Sequence, residues 1–255
     1  MKENFIIITG ASKGLGRELA IKSAHPNVQM LLIARDIKAL KNVQDICESK
    51  EAKVQILACD FSITGYQESI SEVFNKISIG SIAKLQLYNN ASMIEPISEF
   101  SKTNSNDHQD LMNVNLMAPI WLSSELIRCS NRILPDTVSI INISSGVSKK
   151  AIDGWSLYCM SKASINMLSA CIAAESHRYT YNLESMCVNP GALDTDMQKA
   201  IRNSDAEEVP ITDKFKKMYE DGMLKTTADV AAKLLQIVSN KQFENGSYID
   251  FNQLD

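Results

Sequence analysis

Short apolar runs alternate with longer segments of helical periodicity along the whole chain, and this alternation limits the possible folds more than any other feature. We predict seven strands, at residues 5–9, 29–34, 54–59, 85–89, 138–143, 185–188 and 248–251. Several runs are apolar almost throughout, as strands covered on both faces of a sheet require. Repeated strand-helix-strand units join parallel strands by right-handed crossovers. The pattern therefore predicts an α/β protein with one parallel sheet.

The chain is interpreted as a single domain over residues 1–255. Its 255 residues and 45% hydrophobic content suffice for one large core, and no Pro-, Gly- or Ser-rich linker or internal repeat divides it. One irregular stretch, at about residues 193–226, interrupts the alternation with charges and with Met197, Met218 and Met223. Because it lies at the carboxyl edge of the predicted sheet, we interpret it as a candidate substrate lid.

Charge and composition argue against several classes of partner. Lys and Arg number 26 against 30 Asp and Glu, so the net charge of -4 offers no basic footprint for nucleic acid or an anionic membrane. The longest apolar runs have the length of strands, and the start of the chain lacks the features of a signal peptide. The six cysteines form no CxxC pair and have no histidine at ligand spacing. We therefore predict reduced thiols, no metal site and a cytoplasmic location.

A glycine-rich turn follows the first predicted strand and opens a helical segment. It reads Thr9-Gly10-Ala11-Ser12-Lys13-Gly14-Leu15-Gly16. Backbone N–H groups in such a turn can approach a pyrophosphate, whose negative charge is favoured by the N-terminus of the following helix. The residues predicted to bind a nucleotide here are Gly10, Ser12, Lys13, Gly14, Leu15 and Gly16.

The end of the second predicted strand indicates which nucleotide is bound. An acidic residue there would pair with a ribose 2′-hydroxyl, and a basic residue would favour a 2′-phosphate. Ala34 stands at the acid position, Arg35 follows it, and Lys13 adds a second positive charge. These residues favour NADP(H) over NAD(H). Asp36 is either a helix cap or, in a shifted register, the acid that would select NAD.

Tyr158 and Lys162 form the candidate catalytic pair. On a helix, two residues with this spacing project from the same face. An adjacent ammonium and an oxidised nicotinamide ring would bring the phenol pKa from about 10 toward 7 and make the tyrosine a usable proton donor. Ser145 ends the fifth predicted strand, where its hydroxyl can hydrogen-bond a substrate carbonyl oxygen, and Ser144 is the neighbouring alternative.

Taken together, these residues resemble the short-chain dehydrogenase/reductase family. The matching features, in the family's order and spacing, are TGxxxGxG at Gly10 to Gly16, Asn89-Asn90-Ala91, Asn115, Ser145 with Tyr158 and Lys162, and Pro190-Gly191 with Thr195. The resemblance implies a doubly wound Rossmann fold with a seven-stranded parallel sheet, a nicotinamide cofactor and a Ser, Tyr, Lys, Asn tetrad. The family usually has glycine where this chain has Ser92, which leaves the local backbone packing open.

The resemblance also implies a role for each matching residue. Tyr158 would be the general acid, Lys162 would bind the ribose and lower the tyrosine pKa, and Ser145 would orient the carbonyl. Asn115 would hold a water in the proton relay, or is simply a buried helix polar group. The implied cofactor contacts are Asp60 at the adenine amino group, unless it is a plain N-cap, Asn89 and Ala91 along the adenosine, Pro190, Gly191, and Thr195 at the carboxamide. A homodimer formed by the helices around Asn115 and Tyr158 is also implied.

Within the family, the C-terminal half is similar to the sepiapterin reductases, in segments 153–159, 189–198, 221–222 and 248–251. This similarity implies NADPH-dependent reduction of a pterin side-chain ketone or diketone, as in tetrahydrobiopterin biosynthesis. Asp250 would anchor the pterin ring and Trp155 would form a wall beside it, although an Asp at a sheet end can also cap a turn. Bacterial benzil reductases resemble the same segments, so a non-pterin dicarbonyl is the first alternative. A regulator that senses NADP(H) without turnover is the second.

Overall fold

Seven parallel strands form the centre of the molecule in the computed structural model, which describes residues 2–77, 82–204 and 210–254. The strands are β1 (Glu3–Thr9), β2 (Val28–Ala34), β3 (Lys53–Ala58), β4 (Ile82–Asn89), β5 (Thr137–Ile143), β6 (Asn182–Asn189) and β7 (Tyr248–Asp250). They lie in the order β3-β2-β1-β4-β5-β6-β7, and every neighbouring pair is parallel. The predicted α/β class, the single-domain Rossmann fold and the seven-stranded parallel sheet are confirmed.

Helices cover both faces of this sheet. They are α1 (Gly14–Ser23), α2 (Ile37–Glu48), α3 (Tyr66–Asn75), α4 (Ser105–Met112), α5 (Ala118–Ile133), α6 (Ser156–Ala174), α7 (Asp196–Arg202), α8 (Ile211–Glu220) and α9 (Thr227–Ser239). Buried residues of α1, α2 and α9 belong to the core on one face, and those of α3, α5 and α6 to the core on the other. The sheet is therefore the middle of three layers.

The first strand explains why both faces need a cover. Ile6 and Ile8 point into the core beneath α1, α2 and α9, whereas Phe5 and Ile7 point into the opposite core. Successive side chains of a strand alternate between faces. A continuous apolar run can therefore be buried only where both faces are covered, which is why it predicts a parallel sheet.

Two strands begin three residues earlier than the sequence predicts. β4 starts at Ile82 and β6 at Asn182, three residues before the predicted starts at 85 and 185. The first residues of these strands lie at the open amino edge of the sheet, where Lys84 and Asn182 are exposed to solvent. Polar residues interrupt the apolar run there, although the backbone still pairs with the neighbouring strands.

The irregular stretch 193–226 contains α7 and α8, while its residues 205–209 lie outside the described part of the chain. Thr195 begins α7 as its cap, because its hydroxyl accepts a hydrogen bond from the Gln198 amide. Among the helices formed by the described residues, none combines the length and hydrophobicity needed to cross a membrane.

The order of the strands positions the site. The chain crosses to one side of β1 for β2 and β3, and to the other side for β4 and the strands that follow. The loops after β1 and β4 therefore diverge and leave a crevice at the carboxyl edge of the sheet, where ligands of doubly wound proteins bind. A cavity of about 1370 Å³ occupies this edge.

Two buried tyrosines differ in whether their hydroxyl group has a hydrogen-bond partner. Tyr88 is fully buried and its hydroxyl has no hydrogen-bond partner among the described residues, whereas the Tyr181 hydroxyl donates to the Ile127 carbonyl at 3.2 Å. An unpaired buried hydroxyl costs about 1–3 kcal/mol. We expect Tyr88→Phe to raise the free energy of unfolding by about 1 kcal/mol and Tyr181→Phe to lower it by a similar amount. Urea denaturation of both variants checks this, and a Tyr88→Phe protein less stable than wild type would contradict it.

Candidate active site

The glycine turn between β1 and α1 allows very close backbone packing. Gly10 and Gly14 have φ angles of +65° and +57°, in the left-handed region that favours glycine. A Cβ on Gly16 would lie only 2.3 Å from the Gly10 carbonyl oxygen, and one on Gly14 would lie 3.5 Å from Cγ2 of Thr195. Gly16 therefore lets α1 approach the turn, whereas Gly14 keeps a gap open between the turn and α7.

Asn90 fixes this turn, a function that the sequence analysis did not assign to it. Its Nδ2 donates to the carbonyls of Thr9 at 2.9 Å and Gly10 at 3.3 Å. Its neighbour Asn89, which was predicted to line the adenosine, is buried and donates to Asn142 Oδ1 at 2.7 Å. Adjacent residues of a strand end face opposite ways, so only Asn90 reaches the cavity.

Most of the predicted site residues line the 1370 Å³ cavity at the carboxyl edge. Those in its wall are Gly10, Ser12, Lys13, Gly14, Leu15, Arg35, Asp60, Ala91, Ser145, Trp155, Tyr158, Lys162, Pro190, Gly191 and Thr195. Those that the structure does not bring into the wall are Gly16, Asn89, Asn115 and Asp250. The wall therefore runs from the end of β2, past the glycine turn, to the N-terminal part of α6.

The end of β2 presents a basic side chain to the cavity. Asp36 Oδ1 accepts hydrogen bonds from the backbone N–H groups of Lys38 and Ala39, at 2.9 and 3.0 Å, and so caps α2. Of the two interpretations of Asp36, the structure has the helix cap. Arg35 keeps 77% of its side chain exposed, and its Nη1 lies 3.9 Å from Asp60 Oδ2. Lys13 is paired with Asp196 of α7 at 2.6 Å.

Tyr158 and Lys162 project from one face of α6 toward the end of β5. Lys162 Nζ donates to the Ile143 carbonyl at 2.9 Å and lies 5.6 Å from the centre of the Tyr158 ring. Ser145 and Ser92 line the same cavity as Tyr158, and their side chains lower the pKa of its phenol by less than burial raises it. The alternative residue Ser144 instead donates to Asn166 Oδ1 at 2.6 Å. Ser145 is therefore the serine that shares a site with the phenol.

Burial controls the ionisation of this pair. It raises the pKa of Tyr158 to about 12 and lowers the pKa of Lys162 to about 8, because both charged forms lose their contact with water. In the chain alone, desolvation has the largest effect on the pKa of Tyr158. That Lys162 and an oxidised nicotinamide ring together acidify the phenol stays a prediction. The phenol is held protonated, which is the form that a proton donor needs.

Asn115 connects three parts of the site from behind the cavity wall. It lies in a π-helical turn, Asn113–Met117, between α4 and α5 and is almost fully buried. Its Nδ2 donates to the Met93 carbonyl at 2.8 Å and to Ser161 Oγ at 3.2 Å. Its Oδ1 accepts from the Met93 amide at 2.9 Å and from Ser92 Oγ at 3.1 Å. Protein groups thus saturate this amide.

An aromatic and apolar wall lies beyond Tyr158. Trp155 is buried, meets Tyr158 edge to face at 6.0 Å and stacks on Phe215 of α8 at 5.6 Å. The other apolar residues of this wall are Met93, Ile94, Val147, Ile152, Met197, Ile201, Ile211, Met218 and Met223. Phe215 was not predicted, although Ile211, Phe215 and Met218 repeat at helical spacing in the sequence.

Gln198 is a polar exception in this region. It lines the cavity and is 4% exposed, yet neither Nε2 nor Oε1 has a hydrogen-bond partner among the described residues. Asp250, by contrast, has its Oδ1 filled by Asn189 Nδ2 at 2.9 Å and by the amide and Nδ2 of Asn252 at 2.9 and 3.0 Å. Asp250 therefore organises the turn after β7, whereas Gln198 lines the cavity with both of its polar side-chain atoms unpaired.

Comparison with known sequences identifies the family. The model for the short chain dehydrogenases matches residues 4–206, and the chain belongs to the short-chain dehydrogenase/reductase family. It is 27% identical over 250 residues to a benzil reductase, (S)-benzoin forming, from Bacillus cereus, covering 98% of this chain and 99% of that protein. It is 30% identical over 254 residues to the sepiapterin reductase of Mus musculus, covering 96% and 95%. The chain is therefore an oxidoreductase that uses a nicotinamide cofactor.

Solved structures share this fold. The KRED1-Pglu enzyme superposes with a TM-score of 0.81 at 24% identity, covering 96% of this chain and 99% of that one. A short chain dehydrogenase from Shigella flexneri, complexed with NADP, has a TM-score of 0.77 at 23% identity, covering 98% and 97%.

The residues of the cavity fit a dinucleotide. The positive φ angles at Gly10 and Gly14 keep the turn free of side chains next to the N-terminus of α1, where a pyrophosphate is favoured. At the other end of the wall, Lys162 has the Ile143 carbonyl as hydrogen-bond partner for one of three ammonium donors, which leaves donors for hydroxyl groups of a ligand. A ligand that spans both ends is charged at one and hydroxylated at the other.

Proposed function

We propose that this protein is an NADPH-dependent carbonyl reductase that converts an aromatic ketone or 1,2-diketone to the alcohol. The observation that carries the proposal is the buried Tyr158, which shares one cavity wall with Ser145 and Lys162 where the glycine turn meets the apolar wall. The reduced nicotinamide supplies a hydride when bound. Ser145 donates a hydrogen bond to the carbonyl oxygen, and Tyr158 gives that oxygen its proton.

The remaining residues bind the cofactor and orient the residues around Tyr158. Lys162 holds ribose hydroxyl groups with its free ammonium donors, and Asn115 fixes the backbone that carries Ser92 and Met93 beside Tyr158. Asp60 and Ala91 line the adenosine end of the wall. Pro190, Gly191 and Thr195 line the opposite end, next to α7.

Removing the proton donor tests the reaction. We expect Tyr158→Phe to lower kcat/KM for carbonyl reduction by roughly 10²–10⁴-fold, because general acid catalysis is lost while the aromatic packing against Trp155 remains. Tyr219→Phe, an exposed position on α8, serves as the matched control. NADPH oxidation measures the rate, and NADPH fluorescence checks that the cofactor still binds. A Tyr158→Phe protein as active as wild type would show that Tyr158 is not the proton donor. A wild type that binds NADPH but reduces no carbonyl would instead support a regulator that senses NADP(H) without turnover.

The preference for NADPH rests on Arg35. Ala34 leaves no carboxylate for a ribose 2′-hydroxyl, and the Oδ1 of Asp36 is committed to the cap of α2. Arg35 lines the cavity with its guanidinium largely exposed, so a 2′-phosphate can replace its long contact with Asp60. Lys13 contributes less, because Asp196 already pairs with it. The NADP complex of the Shigella flexneri relative supports the same cofactor.

Exchange of Arg35 checks this preference. We expect Arg35→Ala to raise the KM for NADPH roughly 10- to 100-fold, as the loss of a charge-assisted hydrogen bond of about 1.5–3 kcal/mol predicts. The KM for NADH should change little, since it lacks the phosphate. Lys38→Ala, next to the same strand end, is the control. Equal changes in both KM values would show that Arg35 does not read the phosphate.

The apolar wall favours an aromatic substrate. Trp155 and Phe215 stack at the side of the cavity beyond Tyr158, and methionines from the segment 193–226 complete the enclosure. We include this segment, with α7 and α8, in the proposal as the substrate lid. The benzil reductase of Bacillus cereus supports a dicarbonyl substrate.

A pterin is the second candidate substrate, and Gln198 favours it. A buried amide with both atoms unpaired can bind the lactam edge of such a ring by one donated and one accepted hydrogen bond. Asp250 contributes less than the sequence analysis expects, since the Asn189 and Asn252 side chains already fill its Oδ1 and it stands outside the cavity wall. The sepiapterin reductase of Mus musculus supports this candidate.

Gln198→Met separates the two candidates. We expect the wild type to reduce benzil with a higher kcat/KM than sepiapterin, and we expect Gln198→Met to change benzil turnover less than about threefold, because no benzil atom requires the amide. Asp250→Ala should affect both substrates equally, through the turn after β7. Steady-state rates on both substrates check this. A wild type that prefers sepiapterin and loses that preference in Gln198→Met would establish the pterin candidate instead.

The proposal also includes a homodimer and a cytoplasmic location. The exposed apolar residues Met117, Ile120, Met160 and Met167 lie on or beside the outer surfaces of α5 and α6, which supports a homodimer through these helices. All six cysteines are free thiols, which supports a reducing compartment such as the cytoplasm.

A further inference from the structure

Asn166 joins α6 to the loop that carries Ser145. It lies one helical turn beyond Lys162, and its Oδ1 accepts a hydrogen bond from Ser144 Oγ at 2.6 Å. Its Nδ2 donates to Ser148 Oγ at 2.8 Å. Because Ser144 directly precedes Ser145 and Ser148 follows it by three residues, one side-chain amide holds the chain on both sides of Ser145. Asn166 is not part of the Ser, Tyr, Lys, Asn tetrad that the family resemblance implies.

The direction of these hydrogen bonds follows from the main-chain carbonyl of Ser145. This carbonyl can only accept, so Ser148 Oγ, at 2.7 Å, must give it its single proton. Ser148 Oγ therefore accepts from Nδ2 of Asn166, which turns Oδ1 of Asn166 toward Ser144. Each proton in this series of bonds thus has a defined acceptor.

The Ser145 hydroxyl is arranged to donate into the cavity. Ser145 begins the 3₁₀ turn Gly146–Lys149 as its cap, and its Oγ accepts a hydrogen bond from the Val147 amide at 3.4 Å. An Oγ that accepts from the main chain keeps its proton for another acceptor, and Ser145 lines the cavity together with Tyr158. The direction of this proton depends on the main chain on either side of Ser145, which is the part that Asn166 holds.

Loss of the Asn166 amide would loosen both sides of Ser145. The Ser144 proton would be left with the Lys162 carbonyl at 3.5 Å, at the limit of hydrogen-bond length. Ser148 Oγ would lose the donor that keeps its own proton turned toward the Ser145 carbonyl.

Other bonds would still hold the loop on the sheet. The Ser144 amide donates to the Val188 carbonyl of β6 at 2.8 Å, and the Tyr248 hydroxyl of β7 donates to the Ser145 carbonyl at 3.2 Å. Neither bond involves Asn166. Removing its amide should therefore displace Ser145 without unfolding the site.

We propose that Asn166 is a positioning residue that directs the Ser145 hydroxyl toward the substrate carbonyl. It acts through Ser144 and Ser148, since neither Asn166 nor Ser148 lines the cavity. A displacement of about 1 Å at a reacting centre can cost roughly 10²-fold in rate. The proposal rests on the proposed reductase function and adds to it a residue behind the cavity wall on which the rate depends.

Removal of the amide tests this role. We expect Asn166→Ala to lower kcat for carbonyl reduction roughly tenfold, because the Ser145 hydroxyl is displaced but still present. The KM for NADPH should stay within about twofold, since the glycine turn and Lys162 keep their contacts. NADPH oxidation measures both constants.

Asn245→Ala is the matched control. Asn245 also bridges two groups, because its Oδ1 accepts from the Ser185 amide at 2.8 Å and its Nδ2 donates to the Leu183 carbonyl at 3.0 Å. These bonds lie at the amino end of β6, away from the cavity. The control should lower the melting temperature and leave kcat unchanged.

The same substitution in a protein without the Ser145 hydroxyl decides whether Asn166 acts through that group. In Ser145→Ala, we expect Asn166→Ala to change kcat less than about twofold, because substitutions that act through one group are not additive. Ser148→Ala should behave like Asn166→Ala, whereas Ser148→Thr keeps the hydroxyl and should keep kcat within about twofold of wild type. None of these substitutions changes a charge.

Rates and melting temperatures of these proteins separate the outcomes. An equal loss of kcat from Asn166→Ala with and without the Ser145 hydroxyl would mean that Asn166 only supports the fold, and it would overturn the proposal. Equal losses in Ser148→Ala and Ser148→Thr would also overturn it. If Asn166→Ala does not fold, Ser148→Ala and Ser148→Thr, each with and without the Ser145 hydroxyl, decide in the same way. A wild type that reduces no carbonyl refutes the proposed function and this role with it, whereas an active wild type matched by Asn166→Ala refutes the role of Asn166 alone.

Discussion

The buried ammonium of Lys162 is the group on which the geometry of the site depends. Its hydrogen bond to the Ile143 carbonyl ties α6 to the carboxyl end of β5, and this bond places Tyr158 over the crevice. Taking an ammonium out of water costs several kcal/mol, and one carbonyl compensates only part of that cost, since the pKa of Lys162 falls to about 8. A ligand that offers oxygen atoms to the remaining donors recovers part of the desolvation cost. The fold thus leaves ammonium donors of Lys162 ready to bind the oxygen atoms of a ligand.

The hydrogen bonds of Asn115 fix the residues on the other side of the Tyr158 ring. The four hydrogen bonds of Asn115 join the segment after β4, the π-helical turn and Ser161 of α6, and all of its polar atoms are used. Ser161 in turn donates to the Tyr158 carbonyl at 2.8 Å. A saturated network in a low-dielectric interior is rigid, because every alternative geometry leaves a polar atom unpaired. The position of Tyr158 relative to Ser92 and Ser145 is therefore set by two independent anchors.

The sequence predicts those features that depend on local periodicity. The seven strands follow from apolar runs, and the Tyr158 and Lys162 pair follows from the spacing of one helical turn. The features that it misses depend on which way a single side chain faces. Asn89 and Asn90 are adjacent and chemically identical, yet only Asn90 meets the glycine turn. The sequence analysis assigns a role to Asp250 and none to Gln198, because it does not show that Asn189 and Asn252 already pair with Asp250 while the Gln198 amide is unpaired.

Burial favours the uncharged forms of both Tyr158 and Lys162. With its pKa raised to about 12, Tyr158 is protonated at neutral pH, so the resting site stores the proton that a carbonyl oxygen needs. Releasing that proton creates a buried phenolate beside Lys162, whose own pKa of about 8 means that its charge is only partly secured above neutral pH. The reverse reaction must begin from this phenolate, and it therefore requires an additional positive charge beside the ring or a higher pH. Reduction starts from the state that burial favours, whereas oxidation starts from the state that burial opposes.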